Sequence, residues 1–126
     1  IEAIRRIAAA GCHVTLRLRP FIIGVSDDWK KTILSAATAG ADSVTTEFFC
    51  LETRADERLR KKYTEISKFT GYDLWEFYRE NSKGAGYRRL NYALKQPIVS
   101  EMQAFAHSLG LRFYVSDAHN KEKSDF

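Results

Sequence analysis

Two cysteines, two prolines and one methionine are all this 126-residue chain has of those residue types. Cys12 and Cys50 lie far apart and form neither a CxxC pair nor a disulfide framework. That pattern excludes a disulfide-stapled secreted scaffold and fits a reducing, cytoplasmic setting. Neither cysteine has the spacing of a metal site, so no metal ligands are expected in this segment. No apolar run approaches the roughly 20 residues that span a bilayer, and no signal peptide opens the chain, so no membrane partner is expected. A P-loop, GxGxxG, HExxH and GxSxG are all missing. Their absence argues against nucleotide triphosphate hydrolysis, simple dehydrogenases, zinc proteases and serine hydrolases.

Hydrophobic residues make up 44% of the chain and charged residues 29%, a soluble globular balance with enough length for one core. The formal net charge of +4 is mild. Charge at this level is common among enzymes and leaves nucleic acid open as a partner without pointing to it. Ile1 stands directly inside a helical pattern and Phe126 follows a polar run, so both ends read as cut from a longer chain.

One unit recurs three times: an amphipathic helix, a glycine, then a β-branched or aromatic strand. The first copy is Ile4, Ile7 and Ala8, then Gly11, then HVTLRLR (13–19). The second is Trp29, Ile33, Ala36 and Ala37, then Gly40, then DSVTTEFF (42–49). The third is Ile98, Met102, Phe105 and Leu109, then Gly110, then LRFYVSD (111–117), with Pro97 placed at the helix's first turn. Glycine suits the left-handed position that closes a helix. Helix, short loop and strand in repetition predict parallel strands joined by crossover helices, an α/β fold.

The strands alternate rather than running apolar. His13, Thr15, Arg17 and Arg19 interleave with Val14, Leu16 and Leu18; Ser43, Thr45 and Glu47 interleave with Val44, Thr46 and Phe48. A strand covered by helices on both faces would be almost wholly apolar. One polar face therefore favours part of a TIM-like (β/α) barrel with a ligand-lined interior over a doubly wound sheet. Three strands fall short of a full barrel, which takes about 200 residues or more. The expectation is a single domain over 1–126, a partial barrel, with the remainder of the barrel as its partner.

Residues 50–96 read as a helical insertion. It holds a charged helix, RADERLRKKYTEISKF (54–69), a capping-box spacing at Asp73 and Glu76, and a loop, KGAGYRRLNYALK (83–95). An insertion after a strand's carboxyl end stands on the active face of a barrel.

Barrel enzymes place chemistry where strands end. The strand ends here carry Arg17 and Arg19, Glu47, and Ser116 with Asp117. Arginine suits a carboxylate through paired donors, and Glu47 suits an ammonium or hydroxyls. Equally, Arg17 and Glu47 would satisfy one another inside the barrel and only hold its shape. His119 suits a general base or metal ligand, or is a plain loop residue. Cys50, just past a strand end, would donate a hydrogen atom, react as a thiolate, or stay structural. Cys12, at the opposite end of its strand, reads as packing. Tyr72, Trp75, Tyr78, Tyr87, Arg88, Arg89 and Tyr92 would stack bases, grip phosphates, or form the insertion's own core. The catalytic candidates are Glu47, Cys50 and His119.

AAAGCHVTLRLRPFIIGVSDDW (8–29) resembles the middle of a radical S-adenosylmethionine barrel: helix, Ala-Gly, a strand with an arginine, Pro, two hydrophobic residues and a polar loop. ATAGADSVTTEFF (37–49) and LGLRFYVSDAHNKE (109–122) resemble the units that follow, in the style of spore photoproduct lyase-like barrels. The likeness covers about two thirds of the chain and leaves out the insertion. It implies an enzyme that cleaves S-adenosylmethionine reductively at a [4Fe-4S] cluster, the 5′-deoxyadenosyl radical then taking a hydrogen from a substrate the sequence does not name. By the same resemblance, Arg17 or Arg19 would contact the methionyl carboxylate or a cluster-side ligand. Glu47, Ser116 and Asp117 would line adenosine or substrate. The departure is the family's CxxxCxxC loop, which neither Cys12 nor Cys50 fits; the resemblance places it upstream of Ile1. The alternatives are another barrel enzyme using Glu47 and His119 in acid–base roles, and a nucleic-acid-binding module built on the basic aromatic insertion.

Overall fold

The structure is a computed structural model that describes residues 1–83, 86–116 and 120–125. A short helix, α1 (Glu2–Ala9), leads into strand β1 (Thr15–Phe21). Helix α2 (Trp29–Thr38) then precedes β2 (Ser43–Phe48). After an insertion, α5 (Tyr92–Ser108) precedes β5 (Arg112–Val115). The glycines that close these three helices, Gly11, Gly40 and Gly110, have φ of 82°, 106° and 73°, a region other residues rarely enter.

The three strands form one parallel sheet in the order β1–β2–β5. The fold is α/β. The apolar face carries Val44, Phe48, Phe113 and Val115, all buried, against Ile33 and Ala36 of α2 and Val99, Met102 and Ala106 of α5. Burying side chains of this size is worth about 1.5–3 kcal/mol each, which makes this layer the main source of stability. The two helices lie side by side: the Trp29 and Phe105 rings meet edge to face at 5.7 Å and Lys30 pairs with Glu101. Thr46, with no exposure, satisfies its hydroxyl by donating to the Leu18 carbonyl at 3.0 Å.

The opposite face carries Thr15, Arg17 and Arg19 on β1, Thr45 and Glu47 on β2, and Arg112 and Tyr114 on β5, each exposed or half-buried. The register aligns Thr15, Ser43 and Arg112 in one row and Arg17, Thr45 and Tyr114 in the next. Alternation thus holds in the fold as it does in the sequence. Between Leu18 and Phe21 the register slips by one residue, at Pro20, which has no N–H to give a ladder.

Within the insertion, β3 (Leu51–Glu52) precedes α3 (Glu57–Thr70) and α4 (Leu74–Glu80), and β4 (Tyr87–Arg88) pairs antiparallel with β3. Both helices have aspartate caps: Asp56 accepts from the Leu59 N–H at 2.8 Å and Asp73 from the Glu76 N–H at 2.9 Å. The Glu76 carboxylate pairs with Arg79 at 2.5 Å instead of reaching back to complete a capping box. Two tyrosines dock the insertion on the sheet's carboxyl end. Tyr72 donates to the Ile23 carbonyl at 2.6 Å and Tyr78 to the Phe49 carbonyl at 2.7 Å. Burial raises the pKa of both phenols above the ordinary value, with the larger effect at Tyr78.

Two expectations shift. The last helix begins at Tyr92 rather than at Pro97, which sits inside it. Asn91 occupies the cap position there, and one proline in the second turn removes a single backbone bond from a 17-residue helix held down by its buried stripe. Cys12 is exposed rather than packed: it lies in the turn after α1, where the Gly11 reversal carries the chain over the surface.

The outer edge of β5 is covered by the segment that follows. Asp125 accepts from the Phe113 N–H at 2.7 Å and returns its own N–H to the Phe113 carbonyl at 2.7 Å. Ser124 accepts from the Val115 N–H at 2.8 Å. These bonds satisfy an edge that would otherwise offer free donors and acceptors.

Candidate functional site

The carboxyl ends of the parallel strands face the insertion, and the concavities that matter lie there. One, of about 90 Å³, is lined by Glu47, Phe48, Phe49, Cys50, Arg89, Leu90, Lys95 and Ser116. A second, about 260 Å³ and more open, is lined by Arg19, Pro20 and the same Glu47–Cys50 stretch. The end of β2 is therefore the wall between them. Both sit where ligands bind in parallel α/β sheets, outside the carboxyl ends of the strands.

Glu47 does not pair with Arg17. Its partner is Arg19, whose Nη2 lies 2.6 Å from Oε2. The register puts Arg17 opposite Thr45, one pleat deeper than the Arg19–Glu47 pair. Both side chains are more than a third exposed, so the pair contributes no more than about 1 kcal/mol to stability. Its effect is local: it fixes the carboxylate at the rim of both pockets. Arg17 is exposed on the open sheet face and lines neither pocket. Cys50 is half-buried, with Sγ 3.7 Å from the Phe48 carbonyl, and lines both pockets. Ser116 lines the smaller pocket, its N–H held by the Thr46 carbonyl at 3.1 Å. Asp117 and His119 lie outside the described residues. Of the sequence-predicted site residues, Arg19, Glu47, Cys50 and Ser116 thus converge and Arg17 does not.

No protein-family model, curated protein or solved structure matches the chain. Among the described residues no helix is long and apolar enough to cross a membrane, and no group of three or more His, Cys, Asp or Glu side chains is placed to hold a metal ion.

One pocket residue, Lys95, escaped the sequence reading, and another, Arg89, was assigned a different place. Lys95 is 1% exposed and its Nζ lies 6.0 Å from the centre of the Phe48 ring. It belongs to the buried stripe Lys95, Val99, Met102 and Ala106 of α5. Counting back from Met102 by three and then four residues would have found it, a charge on an apolar face. Starting the helix at Pro97 hid that position. Arg89, grouped by sequence with the aromatic cluster, instead reaches the strand-end pocket through the β4 connection. Most of that cluster serves packing: Tyr72 stacks on Phe77 at 4.5 Å, Trp75 lies between Tyr63 and Arg60, and Tyr78 is buried. Tyr87 and Tyr92 alone among its aromatics are largely exposed.

At the other end of the sheet, Asp42 accepts from the Val14 N–H at 2.8 Å and faces His13 at 3.3 Å. The Val14 amide, foremost, and His13 hold its carboxyl below the usual range. This end fixes the start of β1 against β2 and lines neither strand-end pocket.

Proposed function

We propose that this chain is a wall segment of a ligand-lined (β/α) barrel enzyme of the radical S-adenosylmethionine kind. One observation carries the architecture. Three parallel strands stand in sequential order, their crossover helices lie together on one face, and the other face is polar. The uncovered polar face favours a barrel wall over a doubly wound sheet, whose strands are covered on both faces; strand order does not separate them, since one half of a doubly wound sheet runs in the same sequential order. The paired concavities at the strand ends, with Glu47 fixed between them, support the ligand site.

The described residues do not fit an iron–sulfur cluster. Cys12 and Cys50 stand before β1 and after β2, at opposite ends of the sheet, and no cluster-holding group forms around either. The proposal therefore places cluster ligation on another part of a longer chain. The residues fit S-adenosylmethionine as a wall rather than as a cage: the smaller pocket, at about 90 Å³, takes a compact polar group. When bound, those cofactors supply the radical chemistry and the protein supplies position and exclusion. Acid–base catalysis by Glu47 is less well supported, since its carboxylate is already engaged by Arg19. A nucleic-acid module is also less well supported, since Tyr72, Trp75 and Tyr78 are spent on packing.

The test is the coding sequence upstream of Ile1 together with the colour of the encoded protein. A CxxxCxxC loop, and visible absorption from a thiolate-held cluster after anaerobic purification, are expected. A complete upstream sequence with no such cysteines refutes the radical reading.

A further inference from the structure

The strand-end pocket has an arginine that the described part of the fold leaves uncommitted. Arg19 is engaged by Glu47, and Arg17 lies outside the pocket. Arg89 lines the pocket, is exposed, and has no ion pair or hydrogen bond with any described residue. Arg89 thus lines a space whose single acid among the described residues, Glu47, is already paired. Phe48, Phe49 and Leu90 form its apolar walls, and low-dielectric walls strengthen an ion pair formed within them.

We propose that Arg89 recognises the carboxylate of a small ligand in this pocket, with the Ser116 hydroxyl as a second donor. A guanidinium presents a planar fork that matches a carboxylate with two parallel bonds. The pocket's small volume suits such a group. The inference deepens the barrel reading and rests on its placement of the site at the strand ends. It moves anion recognition from the β1 arginines to the insertion, so the insertion would decide which acids the site accepts.

The test is an NMR titration of isotope-labelled protein with sodium butyrate, its neutral analogue butyramide, and inorganic phosphate at constant ionic strength. The Arg89 Nε–H and the Cys50 and Ser116 amides report. Butyrate should move these signals saturably and butyramide should not. R89Q should weaken butyrate binding at least about tenfold, or about 1.4 kcal/mol, R89K should fall between, and R17Q should bind as the parent does. An unchanged affinity in R89Q overturns the proposal. So does equal binding of butyramide, tighter binding of phosphate, or no response to butyrate. Competition by S-adenosylmethionine would identify the cofactor's methionyl group as the carboxylate's source, and its absence a substrate carboxylate; the proposal stands on either. Failure to find a cluster in the longer protein would end the radical reading and leave this one intact.

Discussion

Removing the Tyr78 hydroxyl is the most informative single perturbation of this fold. Tyr78 is 1% exposed, and its hydroxyl donates to the Phe49 carbonyl at 2.7 Å. Its ring packs edge-on against Phe49 at 6.2 Å and Phe77 at 6.1 Å. Y78F keeps the ring and deletes only the donor. A lost hydrogen bond that leaves a buried acceptor behind costs about 1–3 kcal/mol, a substantial part of a total stability of about 5–15 kcal/mol. With an m-value of roughly 1.5 kcal/mol per molar urea, the unfolding midpoint should fall by about 1 M. The same phenol has its pKa raised, burial first among the causes. Above pH ~10 the unfolded chain gives up this proton while the folded chain keeps it. The folded state then binds more protons, so stability falls as pH rises, by up to about 1.4 kcal/mol per pH unit. Y78F has no such group. The gap between parent and variant should therefore be full at pH 8 and nearly closed by about pH 11. Urea titrations of both proteins at the two pH values, followed by tryptophan fluorescence, measure it. A midpoint unchanged by Y78F at pH 8, or a gap that stays constant with pH, would refute the reasoning that this hydroxyl is buried, bonded and holding the insertion to the end of β2.

Gly24→Ala should destabilise the fold by about 1–3 kcal/mol, because φ there is +88° and the new Cβ would stand 2.7 Å from the Thr70 carbonyl oxygen; a melting temperature equal to the parent's would show that the β1–α2 loop does not dock on α3. Asp125→Ala should speed hydrogen exchange at the Phe113 amide at least about tenfold, since that N–H loses its carboxylate acceptor. Burial pushes the Asp125 carboxyl up, but the Phe113 amide and His107 outweigh it and hold its pKa below the ordinary value. Its contribution is therefore present above pH ~4 and is lost as pH falls through the folded value, which exchange measured across that range would show.

The residues that chemistry would use were only partly legible in advance. Glu47, Arg19, Cys50 and Ser116 were identifiable because a strand's end is a local property, read from a pattern of period two and the loop that stops it. Glu47's partner was not, since choosing between Arg17 and Arg19 depends on the offset between two strands 28 residues apart. Lys95 was hidden by a proline that reads as a helix start and in fact sits inside the helix. Arg89 was named, but its place in the pocket was not legible because only the fold of the insertion brings β4 back to the end of β2.

The helix–glycine–strand unit was set by the sequence alone: each glycine closes its helix through its own backbone freedom, and each strand alternates by its own pleat. Those are short-range effects, and a single sequence carries them. Tertiary structure decided which polar groups meet. The Arg19–Glu47 pair, the docking of the insertion through Tyr72 and Tyr78, and the convergence of Arg89, Lys95 and Ser116 on one pocket all join residues distant along the chain. Such contacts follow from strand register and helix packing, which depend on the whole core at once.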